Sequence, residues 1–287
     1  MLTGVLLVDK PSGKTSMEVV EALKKRFGFK AGHAGTLDPI ATGLLVILLG
    51  EATKFSQFFL GLDKDYVATV KLGEITQTYD REGVVVEQRP VSVSCDEVKR
   101  ALESLVGRTL QTPPPFSAKR IRGKRAYQLA RKGIQVEIKP VEVEVKRVEL
   151  LSCNLPYVEV FFSVSSGTYI RSLVHQMGLQ LGCGAHVVEL RRLRVGKFNI
   201  NMAMGLDRIL SLQDINGLVL PLDQALDFLP AVKLWGESLS RIKKGTFVKL
   251  DYSADRLFVR LYGDGVFLGL GLVENNKLKP YRLMQGL

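Results

Sequence analysis

Residues 43–49 read Gly-Leu-Leu-Val-Ile-Leu-Leu, a run with no polar side chain. A segment this short and this apolar suits a strand buried on both faces, and such a strand needs packed layers on either side of it. The surrounding chain can supply them. Residues 5–8 are a second buried-strand candidate, closed by Asp9-Lys10-Pro11-Ser12-Gly13. Thr15 and Glu18 stand at capping-box spacing ahead of a helical stripe of Val19, Val20, Leu23 and Phe27, and Gly28 ends it. Residues 66–72 alternate as a strand does. Ser94 and Glu97 open a second capped helix bearing Val98, Ala101, Leu102 and Leu105.

Residues 141–148 alternate apolar and charged side chains, and residues 157–164 read as their antiparallel neighbour. Residues 168–181 return to helical spacing, with Ile170, Leu173, Val174 and Met177 on one face and Arg171 off it. Strands and helices thus alternate irregularly, and some strand pairs look like hairpins. The expected fold class is α+β, with a mixed, largely antiparallel sheet and flanking helices. The pattern shortens near the C-terminus: a helix near 237–243, then strands at 256–261 and 266–273 joined by Gly263-Asp264-Gly265. The expected division is a domain over residues 1–230 and a small, mostly β domain over residues 231–287.

The 287 residues are 46% hydrophobic, enough for a core that needs neither disulfide nor metal. Cys95, Cys153 and Cys183 are far apart and odd in number. They read as reduced thiols in a cytoplasmic protein, not as a disulfide framework or a metal site. No apolar run reaches the length of a membrane span, and nothing resembles a secretory signal.

The formal net charge is +11, which favours anionic partners, nucleic acid before membrane. Its placement says more. From Ser104 to Val136 there is no acidic residue, while Arg108, Lys119, Arg120, Arg122, Lys124, Arg125, Arg131 and Lys132 fall in the same stretch. A block of one sign repels itself unless an anion offsets it. With Phe116 and Tyr127 interleaved, the segment at about 108–136 suits a surface that tracks phosphates and stacks bases; a solvated basic face is the bland alternative. A second cluster, Arg191, Arg192, Arg194 and Lys197, could equally be charges that protect a strand edge.

Asp38 sits in the glycine-flanked loop that precedes the apolar run, where a carboxylate would be both anchored and reachable. It could act as nucleophile or base. By composition alone an Asp before Pro is more often a turn residue or cap. His33 and Tyr66 are open in the same way, with a local hydrogen-bonder and a packing residue as the plain readings, and Arg171 could pair with a carboxylate or a phosphate or equally lie at the surface. No GxGxxG follows a strand, and there is no GxSxG elbow or HExxH.

Taken together, several motifs resemble one family. They are the segment from Gly4 to Pro11 with Gly13; Gly32-His33-Ala34-Gly35-Thr36-Leu37-Asp38-Pro39 running on through Ala41-Thr42-Gly43-Leu44-Leu45; and Tyr66 followed by Leu72-Gly73, Thr76, Thr78 and Asp80. Pro113-Pro114-Pro115-Phe116-Ser117-Ala118, Ser166-Gly167-Thr168-Tyr169-Ile170-Arg171-Ser172-Leu173 and Leu181-Gly182-Cys183-Gly184-Ala185-His186 with Leu190-Arg191-Arg192 complete the set. In this order and spacing they resemble the TruB family of tRNA pseudouridine-55 synthases. The resemblance implies a pseudouridine synthase core with a C-terminal domain of PUA type, and an isomerase that needs no cofactor and no metal. It implies Asp38 as the catalytic aspartate, Tyr66 packing on the target base, Arg171 paired with Asp38, His33 helping to hold the RNA loop open, and Leu190 lining the pocket. Lys119, Arg120, Arg122, Lys124 and Arg131 would meet the backbone of the tRNA T-arm. A cytoplasmic monomer is expected. A non-catalytic RNA-binding or RNA-folding protein, and a synthase acting on another RNA, are the alternatives.

Overall fold

The computed structural model describes residues 2–114, 116, 120–121, 124–125, 139–250 and 255–284, with backbone only at 120, 121, 124 and 125. A ten-stranded sheet organises the larger part of the chain. Its main path runs Met204–Gly205 (β14), Gly4–Lys10 (β1), Thr42–Leu49 (β3), Ala185–Val195 (β12), Lys64–Leu72 (β4), Tyr157–Val164 (β11), Val141–Asn154 (β10) and Gly107–Gln111 (β7). Ala31–His33 (β2) pairs with β3, and Phe198–Asn199 (β13) with β12. The β1–β14 and β3–β12 pairings are parallel and the others in this sheet antiparallel, so the expected mixed α+β class is the observed one.

The apolar run at 43–49 is buried on both sides, as its composition requires. Leu45, Ile47 and Leu49 join a core formed with helices Ser16–Phe27 (α1), Cys95–Glu103 (α3) and Ile170–Gln180 (α4). The alternate residues Leu44, Val46 and Leu48 face a second cluster with Phe55, Phe59, Phe198 and Leu226. Both capping boxes form as read, at Thr15/Glu18 and Ser94/Glu97, and Gly28 ends α1 in the left-handed region at φ 72°.

A five-stranded sheet follows: Ala231–Leu234 (β15), Leu257–Gly263 (β17), Val266–Glu274 (β18), Lys277–Leu283 (β19) and Val248–Lys249 (β16), in that order. The β17–β18 hairpin turns at Asp264 and Gly265, both with positive φ (52° and 78°), as a tight two-residue turn demands. Leu234, Ile242, Leu261 and Leu278 give this sheet its own core, while Leu270 packs into the second cluster of the larger sheet. Phe58 of helix Ser56–Leu60 (α2) meets Phe258 and Tyr281 edge-on, with centroids 5.0 and 6.1 Å apart. Among the described residues no helix is long and apolar enough to cross a membrane.

Two readings need correction. Cys95 and Cys153 are joined in a disulfide, not held as free thiols. They are 58 residues apart in sequence, but packing α3 against the end of β10 brings their Cα atoms to 6.0 Å; only Cys183, which is buried, remains free. Arg191, Arg192 and Arg194 do not decorate a sheet edge, because β12 lies between β3 and β4. Of the two readings left open for Arg171, the paired one is observed: the residue is 3% exposed and meets Asp38. Of the basic segment, Lys119, Arg122 and Arg131 lie outside the described residues, and the backbones of Arg120 and Lys124 belong to a short two-stranded ribbon.

Candidate active site

The loop carrying Asp38 links β2 to β3 and is fastened from three directions. Ser16, at the start of α1, accepts from the Leu37 amide (2.8 Å) and donates to the Leu37 carbonyl (3.2 Å). The Gly13 amide donates to the Pro39 carbonyl at 2.8 Å, and the buried Lys10 amine donates to the carbonyls of Pro11, Lys14 and Pro39. From β12, Arg192 reaches under the loop: Nε donates to Leu44 O at 2.7 Å and Nη2 to Gly35 O at 2.9 Å. Gly43 makes this approach possible, since a Cβ there would lie 2.3 Å from the Arg192 carbonyl oxygen.

Asp38 faces Arg171 at the start of α4. Nη2 donates to Oδ1 at 3.0 Å, and Nε lies 2.9 Å from Oδ2, a charge contact whose N–H is not aimed at that oxygen. The other side of the guanidinium meets a second carboxylate, with Nη1 donating to Asp80 Oδ2 at 3.0 Å and to the Thr78 carbonyl at 2.8 Å. Nη2 also donates to the Phe116 carbonyl at 2.9 Å. A cation at a helix N-terminus is unfavourable in the field of the helix, and two carboxylates offset that here. Exposure separates the two acids: the Asp38 side chain is 30% exposed and that of Asp80 5%. Asp38 can meet a ligand, whereas Asp80 serves the guanidinium from behind.

Burial pushes the Asp38 carboxyl above the ordinary carboxylate range; Arg171 pulls it down, and the Asp80 charge adds to the upward push. A guanidinium set against both oxygens is the geometry of the ionised form. The side chain is therefore more basic than a surface aspartate while its charge has a partner.

Asp38 and Arg171 open onto a cleft of about 250 Å³, with Tyr66, Leu190, Lys64, Leu60 and Tyr169 in its wall. Tyr66 and Arg192 are cross-strand partners, as are Ala68 and Leu190, so Tyr66, Leu190 and Arg192 share one face of the sheet. The turn ahead of α4 is held by the amide of Gln111, which accepts from the Tyr169 backbone N–H (2.8 Å) and donates to the Tyr169 carbonyl (3.1 Å). Lys64 donates to the carbonyls of Leu60 and Leu62, and burial lowers its amine to about 8. A narrow, apolar-walled cleft with one accessible carboxylate suits nucleophilic or base chemistry on a small unit inserted from outside.

With this geometry in hand, the comparisons are specific. Residues 21–170 match the TruB family pseudouridylate synthase N-terminal domain, residues 171–227 the tRNA pseudouridylate synthase B C-terminal domain, and residues 230–284 the pseudouridine synthase II TruB C-terminal profile. The chain belongs to the TruB family. It is 46% identical to the tRNA pseudouridine synthase B of Aquifex aeolicus (strain VF5), over 99% of this chain and all of that one. It is 42% identical to the protein of the same name from Aromatoleum aromaticum, over 99% of this chain and 93% of that one. Among solved structures, a chain of an H/ACA RNP bound to a substrate RNA containing 2'-deoxyuridine superposes with a TM-score of 0.73 at 26% identity, covering 98% of this chain and 84% of that one. As a TruB family member the chain is a pseudouridine synthase, an isomerase.

The structure gathers Asp38, Tyr66, Arg171 and Leu190 around this TruB cleft. His33 is not in its wall; it ends β2, two residues ahead of Gly35, which is. Sequence reasoning assigned no role to Asp80, Arg192, Lys64 or Gln111. Arg192 and Lys64 had a usable signal, since each stands two residues from a named cleft residue on the same strand and so faces the same way. Gln111 had none, because its partner lies 58 residues away in sequence.

Proposed function

We propose that the protein isomerises uridine to pseudouridine in tRNA, at position 55 of the T-loop, with Asp38 as nucleophile on a nucleotide flipped out of its stack. The observation that carries this reading is the ion pair of a reachable Asp38 with a buried Arg171 inside a cleft sized for one base. The name borne by the curated relatives brings in tRNA as the substrate. A base inside a folded loop cannot be reached where it stands, so the nucleotide must leave its stack.

In this reading the cleft residues divide the work. Asp38, ionised and held by Arg171, attacks the nucleotide as the bond between the sugar and N1 breaks. The freed base turns within the cleft, C5 bonds to the sugar carbon as the bond to the Asp38 carboxylate breaks, and the C5 proton leaves while N1 gains one. Nothing is gained or lost overall, so neither cofactor nor metal is called for. Tyr66 offers the base an aromatic face, a contact worth about 1–3 kcal/mol in comparable stacking. Leu190 closes the apolar side. His33 fills the place that the nucleotide vacates. Lys119, Arg120, Arg122, Lys124 and Arg131 meet T-arm phosphates, so binding should weaken steeply with salt. Residues 1–230 act as the catalytic domain and 231–287 as a small PUA-like RNA-binding domain, in a monomer working in the cytoplasm.

Carbodiimide and primer-extension mapping of unmodified tRNA transcripts incubated with the protein tests this. The reading expects one new stop, at the T-loop uridine, on whole tRNA and on a T-arm hairpin alone. A stop elsewhere would assign the chemistry to another site or RNA. No stop on any transcript that the protein binds would leave an RNA-binding protein without this activity.

A further inference from the structure

Arg171 Nη1 is held by two groups from one turn, the Thr78 carbonyl and the Asp80 carboxylate. The residue between them, Tyr79, has φ 61°, in the left-handed region that a bulky L side chain enters only at a cost. The ring of Tyr79 lies flat on that of His175, with centroids 3.8 Å apart and planes 10° from parallel. His175 follows Arg171 by one helical turn on α4, so both project from the same side of the helix.

We propose that Tyr79 and His175 are a positioning pair: their stack holds the 78–80 turn against Arg171, and so sets how firmly the guanidinium aims Asp38 into the cleft. The inference rests on reading Asp38 and Arg171 as the catalytic pair. The helix grips the turn at two points, the guanidinium taking the groups on either side of Tyr79 and the imidazole taking Tyr79 itself. Burial holds His175 below its ordinary value, and Nδ1 has no hydrogen-bond partner among the described residues. A neutral ring is thus available for stacking, and it adds no second positive charge to compete with Arg171 for the two carboxylates. The gain from stacking is of the same order as the cost of the left-handed backbone, so removing either ring tips the turn toward other conformations. Two backbone bonds to β12, from the Val187 amide to Tyr79 O (3.1 Å) and from the Arg81 amide to Val187 O (2.9 Å), keep the turn near its place, and Asp80 Oδ1 accepts from Thr78 Oγ1 (2.5 Å) and the Glu82 amide (3.1 Å). These bonds are internal to the turn or reach β12; the stack ties the turn to the helix that carries Arg171. Neither ring lines the cleft, so the pair acts through Arg171 and not on the substrate.

The test uses the full chain and unmodified tRNA transcript, with kcat, KM and thermal midpoint measured for each variant. His175→Ala should lower kcat about tenfold, with KM within about threefold. His175→Phe and Tyr79→Phe, which keep a stacked pair of rings, should stay within about threefold of the parent. Tyr79→Gly, which the left-handed backbone accepts, should lose about as much kcat as His175→Ala and keeps the test open if that variant does not fold. Because the pair works through the turn that carries Asp80, adding His175→Ala to Asp80→Asn should cost less than the product of the two single losses. Parental kcat in both His175→Ala and Tyr79→Gly overturns the proposal. So does a Phe variant as damaged as Ala, or a full multiplicative loss on top of Asp80→Asn. Asp38→Asn is run alongside: if it is inactive while the stack variants are unimpaired, only the pairing idea falls, whereas normal turnover by Asp38→Asn removes the catalytic reading beneath it.

Discussion

Replacing Arg171 separates the roles of charge and shape at the site. The guanidinium donates to four acceptors, Oδ1 of Asp38, Oδ2 of Asp80 and the carbonyls of Thr78 and Phe116, and holds Oδ2 of Asp38 by charge alone. Lysine keeps the charge but has three donors and no planar fork, so Arg171→Lys leaves at least one of these acceptors unserved. Each buried polar group without a partner costs about 1–3 kcal/mol, which sets the least loss to be shared between stability and transition-state positioning. Arg171→Met removes the charge as well and leaves Asp38 and Asp80 facing one another, a change that costs about 3–5 kcal/mol in a buried pair. In the parent, Arg171 is the largest influence holding the Asp38 carboxyl down, against burial and the Asp80 charge. Without it the carboxyl moves further up, less of it is ionised at neutral pH, and turnover should climb with pH, by up to about tenfold per pH unit, until Asp38 is ionised again. Release of tritium from C5 of uridine in tRNA, followed from pH 6 to 9, gives the rate; urea unfolding gives the stability. The expected outcome is a kcat at neutral pH reduced by about 100-fold or more in both variants, with the steep pH dependence in Arg171→Met only. A flat pH profile at parental kcat in Arg171→Met would refute the reasoning.

Gly43→Ala places a Cβ 2.3 Å from the Arg192 carbonyl at a residue with φ 100°; the β3–β12 contact must open, and we expect a loss of about 3 kcal/mol or more in urea unfolding together with most of the turnover. Lys64 is held near 8 in the folded chain against its ordinary value of 10.5. Between those pH values the unfolded chain binds the extra proton, so this group makes stability rise with pH there, by up to about 3 kcal/mol. Lys64→Met should lack that part of the rise in a urea series from pH 7 to 10.5, and an unchanged pH dependence would contradict the burial argument. The Cys95–Cys153 crosslink spans 58 residues, so Cys95→Ser/Cys153→Ser should lower the unfolding free energy by about 4 kcal/mol on a loop-entropy basis; equal thermal midpoints for parent and variant would show that it contributes nothing.

Much of the fold was legible because it rests on local rules. The two capping boxes, the left-handed stop at Gly28, the Asp264-Gly265 turn and the doubly buried run at 43–49 each follow from a few neighbouring residues, and each formed as read. What failed depended on distant neighbours. A cysteine's state is decided by what lies across from it, and the partner of Cys95 is brought there by packing α3 on β10. The arginines of β12 looked like edge charges because nothing local says that the strand is inserted between β3 and β4. Arg171 shows the same limit. Its helical position off the apolar face was correct, but nothing local decides between a paired and a surface arginine there; that side of α4 meets Asp38 and Asp80 and not water. The motifs that resemble the TruB family marked Asp38, His33, Tyr66, Arg171 and Leu190 as a set, and all of these but His33 line the cleft. The residues that hold them, Arg192, Gln111 and the Tyr79–His175 stack, emerged only from the coordinates.

The central claim is that Asp38 supplies chemistry and not affinity. Asp38→Asn keeps the size of the side chain and removes its negative charge, so T-arm hairpin binding and single-turnover tritium release should be measured on the same preparation. The account predicts a dissociation constant within about tenfold of the parent and no detectable release. Release at the parental rate from the bound complex would contradict it.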